Sequence, residues 1–322
     1  MMPSTPLRPS FDAPVAPGGY AWWYIDVLSD DGQHGLTLIA FIGSVFSPYY
    51  AWARRQGRGS ADPLNHCALN VALYATGGTA APRGWAMTER GRAAVHQTSS
   101  TLSIGPSALE WQGDVLNVNI NEVTMPWGRR LRGVVRLCPS MLLSQAYALD
   151  AASLHHWCAI APVARVEVDL PQPGLRWSGT GYLDTNRGDR PLESDFSSWN
   201  WSRAALARQR SVVLYEATRI AAGPLSLALA FDAQGRVQDF PPPPRVSLPV
   251  TAWRLPRHTR SDAPAQTRVY QKLEDGPFYA RSLLSTQLLG ETVTAVHENL
   301  SLQRWKLPVV QAMLPFRMPR RG

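Results

Sequence analysis

From Val115 to Val123 the chain reads VLNVNINEV, with Leu116, Val118 and Ile120 alternating with Asn117, Asn119 and Asn121. A period of two sends successive side chains to opposite faces of an extended chain. It therefore selects a half-buried strand over a helix, whose apolar positions recur every three or four residues. The pattern returns at Cys67, Leu69, Val71 and Leu73, and at Val166, Val168 and Leu170 with Glu167 and Asp169 between them. Longer β-like runs cover 36–46, 212–215 and 225–231. Turn formers separate them: Asp30-Asp31-Gly32, Thr76-Gly77-Gly78, Gln112-Gly113-Asp114 and Asp232-Ala233-Gln234-Gly235. Helical periodicity is scarce: residues 202–210 read as one short helix, and 140–157 fits either state. The expected class is all-β.

A chain of 322 residues makes one large or two medium domains. Trp22-Trp23-Tyr24 precedes an apolar run at 36–42, and Trp199-Asn200-Trp201 precedes one at 212–215. Pro162, Pro171 and Pro173 gather between these two halves. The reading is two related β-domains, 1–175 and 176–322, the second ending in a basic, apolar tail. Pro241–Pro244 forms a rigid connector within the second.

The formal charge is +8, yet no run of Lys or Arg exceeds two residues and no nucleic-acid-binding signature is present, so nucleic acid is not an expected partner. Basic residues concentrate only near the C-terminus, as Arg304, Lys306, Arg317, Arg320 and Arg321, among Trp305, Leu307, Val309, Val310, Met313, Leu314 and Phe316. That mixture suits a membrane interface, and it equally fits a frayed basic terminus. The longest apolar stretch is well short of the roughly 20 residues a spanning helix needs. The N-terminal residues lack a signal-peptide apolar run. Cys67, Cys138 and Cys158 are odd in number and show no metal or redox spacing, as expected of reduced cysteines in a reducing compartment. Twelve tryptophans suggest a pocket lined by π faces, although a tryptophan also simply fills a β core.

The chain has no G-x-S-x-G, P-loop or H-E-x-x-H motif, and Gly179-Thr180-Gly181 lacks the third glycine and the βαβ context of a dinucleotide fingerprint. Two blocks remain. Residues 179–201, GTGYLDTNRGDRPLESDFSSWNW, are dense in polar and aromatic groups. On a strand Tyr182, Asp184 and Asn186 share a face, and Gly188 permits a sharp turn or close approach. In Leu154-His155-His156-Trp157-Cys158, His155 and Trp157 share a face. On the residues alone, the first block reads first as a polar inter-strand loop and the second as a core histidine beside a tryptophan, with a catalytic site as the other reading of each.

Together with GGYAWWYIDVLSDDGQHGLTLIAFIGSVFSPYYAWARR, DPLNHCALNVALY and RGWAMTERGR, the block beginning GTGYLDTNRGDRPLESDFSSWNW resembles the carotenoid 1,2-hydratases of phototrophic bacteria, also called hydroxyneurosporene synthases. The likeness runs from about residue 18 to about residue 305. Y-x-D-x-N-x-G followed by W-x-W is shared with a wider superfamily that includes tocopherol cyclases and decalin-forming cyclases. The resemblance implies two tandem lipocalin-like β-barrels and addition of water to the terminal C1–C2 double bond of acyclic carotenoids such as neurosporene and lycopene, in the spheroidene and spirilloxanthin pathway. No cofactor or metal is implied. The partners implied are the carotenoid and water, and the implied place is peripheral, on the cytoplasmic face of the inner or photosynthetic membrane. The family's catalytic residues fall on His155, Trp157, Tyr182 and Asp184, with Asn186, Trp199 and Trp201 as candidates for substrate contact.

On this reading Asp184 is a buried acid that protonates C2, Tyr182 orients it, Trp157 offers a π face to the tertiary cation, and His155 takes the proton from water. A lipocalin-like cavity is expected to hold the apolar tail. A carotenoid or lipid carrier without chemistry, and a related isoprenoid cyclase, are the alternatives.

Overall fold

The structure is a computed structural model that describes residues 9–57, 60–78 and 83–321. The strands that matter for the site are β1 (Tyr20–Ser29), β2 (His34–Ile42), β3 (Cys67–Ala75), β4 (Gly84–Arg90), β5 (Val115–Val123), β6 (Arg130–Pro139), β7 (His155–Gln172) and β8 (Leu175–Gly188). All eight belong to one 13-stranded sheet, in the order β4-β3-β2-β1-β8-β7-β6-β5 followed by three short strands. Every adjacent pair among the eight is antiparallel. Leu69 and Ala86 at one end of this sheet and Leu102 and Leu109 at the other belong to one apolar core, so the sheet curls around it. The alternations read from the sequence supply that core: Cys67, Leu69 and Val71 from β3, Leu116 and Val118 from β5, Val166 and Val168 from β7.

The chain divides into two compact units. The first runs to Pro191 and regains the chain at Ala312, and the second is Leu192–Gln311. The join expected at 175/176 instead falls at the start of β8, inside the β7–β8 hairpin. The turn prolines there close a hairpin and do not link domains, because β8 pairs along its length with both β1 and β7. The tail after Ala312 is not frayed. Arg320 forms a short parallel bridge to β4 and its guanidinium contacts the fully buried Glu89, which also binds His66 Nδ1 at 2.8 Å. Arg317 lies over the Trp85 ring. Removing Glu89 from water is tolerable because two cationic or protonatable partners face it.

The second unit has its own 7-stranded antiparallel sheet, including β9 (Phe196–Leu206), β10 (Arg210–Arg219), β11 (Tyr279–Leu288) and β12 (Glu291–Ser301). Its core contains Ala204, Leu206, Val212, Leu214, Leu284 and Ala295. The helix expected at 202–210 is instead the end of β9, a tight turn and the start of β10. Arg208 and Gln209, within the three residues between the paired Leu206 and Arg210, both adopt positive φ, and pairing on both sides of β9 overrides local propensity. The repeated aromatic motif is thus the same device in each unit: an aromatic-rich strand, β1 or β9, followed by its hairpin partner. Among the described residues no helix is long and apolar enough to cross a membrane. All three cysteines are free, and burial pushes the Cys67 and Cys158 thiols up to about 12.

Candidate active site

Three adjacent strands of the first sheet carry the predicted residues in register. Across β1, β8 and β7 the rows are Tyr20, Gly188 and His155; then Trp22, Asn186 and Trp157; then Tyr24, Asp184 and Ala159. Directly opposed residues of antiparallel strands point to the same face, so each row forms one line of contacts. One step further along, Asp26 on β1 stands opposite Tyr182. The intervening residues Ala21, Trp23, Ile25, Val27, Leu183 and Cys158 all point the other way, into the apolar core.

The predicted four therefore share one face, and it is the face turned away from the core of the first sheet. An apolar cavity inside that curled sheet was expected to hold the substrate tail. That space is filled by packed side chains, among them Ile25, Leu38, Val71 and Leu116, so it does not serve the site. The reacting face is nonetheless buried: His155, Trp157 and Tyr182 are 0% exposed and Asp184 3%.

Asp184 is the centre. Its Oδ2 accepts from Trp157 Nε1 at 2.8 Å and from the Tyr182 hydroxyl at 2.8 Å. Two rigid aromatic donors fix the carboxyl plane, and both draw on the same oxygen. If the group is protonated, its proton belongs on Oδ1.

His155 is the second chemical group. Its Nδ1 lies 2.9 Å from the Tyr20 hydroxyl, and the two rings stack with centroids 5.8 Å apart. The turn before it is set by Asp150, whose Oδ1 accepts the main-chain N–H of both Leu154 and His155. His155 and Ala159 are four residues apart on β7, and Ala159 faces Asp184. At a strand rise of ~3.3 Å per residue the imidazole and carboxyl thus spring from backbone about 13 Å apart, with Trp157 and Asn186 between them.

The walls are aromatic. Tyr20 stacks on Trp22 at 5.0 Å, Trp22 meets Phe41 at 6.1 Å, and Phe41 meets Phe46 at 6.1 Å. Tyr24 abuts Tyr182 edge-on, and Tyr147 packs against Trp157 at 5.6 Å. Of these, Tyr20, Trp22, Tyr24, Phe41 and Tyr147, with the buried carboxyl of Asp26, are not among the site residues expected from the sequence. The signal was present in YAWWYID, where positions 20, 22, 24 and 26 alternate with an apolar set at 21, 23 and 25.

Asn186 lies in the middle row, 3% exposed, between Trp22 and Trp157. Trp199 and Trp201 belong to the second unit, on β9. Both are buried, and Trp199 packs against Phe196 and Tyr215 within that sheet. A cleft of about 670 Å³ on the first unit, lined by residues of 12–17 and 60–64 with Arg92, contains none of these residues. Among the described residues no group of three His, Cys, Asp or Glu side chains stands where it could hold a metal ion.

Comparisons with known proteins place this geometry in context. The family model Carotenoid hydratase CrtC matches residues 38–322. The acyclic carotenoid 1,2-hydratase of Thiocapsa roseopersicina is 57% identical over 99% of this chain and 78% of its own length. That of Rubrivivax gelatinosus is 49% identical over 98% of this chain and 76% of its own. Among solved structures, an AttH protein from Nitrosomonas europaea aligns with a TM-score of 0.59 at 15% identity, covering 88% of this chain and 92% of that one. Kievitone hydratase from Nectria haematococca aligns at 0.53 and 9% identity, covering 94% and 100%. At such identities the structural likenesses speak for the fold.

Proposed function

The chain belongs to the carotenoid hydratase family, and from that premise we propose that Asp184 protonates the terminal C1–C2 double bond of an acyclic carotenoid so that water adds at C1. The activity is that of an acyclic carotenoid 1,2-hydratase, a hydro-lyase. The observation that carries the assignment of the acid is the pair of 2.8 Å hydrogen bonds that Trp157 and Tyr182 donate to one oxygen of a buried carboxyl.

An unactivated alkene needs a strong, well-placed proton donor. The O–H bond of Asp184 breaks as a C2–H bond forms from the π pair, leaving a tertiary cation at C1 and a carboxylate at Asp184. Trp157 and Tyr182 already donate to that carboxylate, so they stabilise the charge as it develops and need no reorganisation. The rows around Asp184 offer the cation aromatic faces; an indole or phenol face contributes about 0.5–2 kcal/mol when desolvated. Trp157 and Trp22 are the candidates for that contact. Water then forms the C1–O bond and gives up a proton to His155. The backbones bearing His155 and Asp184 stand about 13 Å apart, with Trp157 and Asn186 between them. The proton on His155 must return to Asp184 before the next turnover. Asn186, in the middle row between Trp22 and Trp157, is retained as a substrate contact.

The substrate's place is part of the proposal. A C40 hydrocarbon resides in a bilayer, and the protein associates peripherally with the cytoplasmic face of the photosynthetic membrane. In support, Leu307, Val309, Met313 and Phe316 are exposed along a C-terminal segment that lacks acidic residues from 302 to 321 and carries the exposed Lys306 and Arg321. Flotation with anionic and neutral liposomes tests it: binding that needs neither anionic lipid nor Phe316 overturns this route.

Incubation with neurosporene or lycopene in liposomes, followed by mass analysis, tests the chemistry. Gain of one water, absent in Asp184→Asn, supports the assignment. Product of unchanged mass means isomerisation or cyclisation, and recovery of bound, unaltered carotenoid means a carrier. Full turnover by Asp184→Asn removes Asp184 as the acid.

A further inference from the structure

We propose that Tyr20 is a positioning residue that selects the tautomer of His155, and that Gly188 is glycine so that the two can meet. The inference rests on the reading of His155 as the base that receives water's proton.

The first row of the site has Tyr20 on β1 and His155 on β7, with β8 between them. Side chains on alternate strands of a sheet are normally kept apart by the residue on the middle strand. Here that residue is Gly188. A Cβ at this position would sit 2.5 Å from His155 Nδ1 and 2.4 Å from the Tyr20 ring, closer than real Cβ contacts come. Without it the phenol and imidazole reach across β8, stack, and place the Tyr20 hydroxyl 2.9 Å from Nδ1. Tyr20 is itself held by its stack on Trp22, and it is 1% exposed. The phenol therefore has little freedom to leave.

A neutral imidazole has one N–H and one lone pair, and the partner at one nitrogen decides what the other can do. If Tyr20 donated to Nδ1, the hydrogen would sit on Nε2 and that nitrogen could not accept a proton. If Nδ1–H donates to the Tyr20 oxygen, Nε2 keeps its lone pair and can take the proton released when water bonds to C1. A phenol oxygen can also receive the stronger hydrogen bond from the imidazolium that results, so the same contact holds both protonation states. Only this second arrangement is consistent with His155 as the base at Nε2, and on that premise the Tyr20 oxygen is the acceptor of the Nδ1–H.

The test is Tyr20→Phe, which retains the ring and its stacking and removes the oxygen. Nitrogen-15 NMR of the histidine-labelled full chain, with the His155 signals identified by their loss in His155→Ala, reads the tautomer without reference to turnover. The expected result is the Nδ1–H form in the wild type and a shift toward the Nε2–H form in Tyr20→Phe. Steady-state kinetics should show kcat lowered about tenfold or more with KM little changed, as expected when a proton-transfer group is misdirected and substrate binding is not. Tyr20→Phe serves as the primary variant because it keeps the packing. Gly188→Ala, which pushes the rings apart while leaving both in the chain, should reproduce the tautomer shift. The Nε2–H form in the wild type, or an unchanged Nδ1–H form in Tyr20→Phe, overturns the inference. The failure of its premise looks different: His155→Ala would then keep near wild-type turnover, whatever the tautomer.

Discussion

The two faces of β1 are buried alike and do different things. Ala21, Trp23, Ile25 and Val27 enter the apolar core; Tyr20, Trp22, Tyr24 and Asp26, one residue out of phase, meet the histidine, the asparagine and the acid of β7 and β8. Depth of burial does not separate a core from a site. The chemical character of the buried atoms does, because a polar group withdrawn from water costs stability unless it is hydrogen-bonded, so a buried polar row marks a face with work beyond packing.

If that contrast is right, changes on the two faces should fail in different ways. The largest effect is expected for Asp184→Asn, which retains an acceptor for Trp157 and Tyr182 and removes only the transferable proton. Turnover should fall by about 10³-fold while the urea midpoint barely moves. A variant that loses turnover only in proportion to its folded fraction would erase the distinction. Ile25→Ala, on the opposite face, should do the reverse: stability should drop by about 2–5 kcal/mol in urea unfolding, with the kcat of the folded enzyme kept.

The second unit sharpens the comparison by placing a titratable group on its core-facing side. His297 lies two residues from Ala295 on β12, and its Nε2 donates to the His258 carbonyl at 2.8 Å. Burial, the largest influence, brings its pKa down to about 4 from 6.5. The unfolded chain therefore takes up the proton first. Stability contributed by neutral His297 is present above about pH 6.5 and drains away as pH falls toward 4. The loss should reach about 2 kcal/mol by about pH 5 in urea unfolding. His297→Asn should flatten that slope; a slope unchanged by the substitution assigns the acid sensitivity elsewhere. The smallest effect separates two tryptophans. Trp157→Phe keeps an aromatic ring and deletes one donor to Asp184, so kcat should fall by about tenfold, the worth of one such hydrogen bond. Trp23→Phe, the same change on the core face, should leave kcat where it was.

Much of this was legible in the sequence, for identifiable reasons. Period-two alternation located β3, β5 and β7, and Tyr182 and Asp184 could be put on one face from their spacing alone. The pairing of His155 with Tyr20 could not, since nothing local tells β7 that its neighbour but one is the first strand of the chain. The bound at 175 and the helix at 202–210 went astray for a related cause: prolines and helix formers act locally, whereas β8 and β9 are fixed by partners far away in the chain. Trp22 and Tyr24 stand in the aromatic cluster read as the marker of a repeat, and a strand buried on both sides gives little contrast between its two faces.

The acid and the base also differ in how they come into being during synthesis. Trp157, Tyr182 and Asp184 all lie on the β7–β8 hairpin and can assemble as soon as it folds, whereas Tyr20 is separated from His155 by 135 residues. On the ribosome, β1 can pair with β2 early, but its other edge waits for β8. At ~5–20 residues per second that interval is on the order of ten seconds or more. Throughout it, a strand carrying Tyr20, Trp22 and Tyr24 presents unpaired main-chain groups to its surroundings, the condition in which strands join the wrong neighbour. The row that aligns the base is thus also a seam that leaves a strand edge of the nascent first unit open until β8 is made.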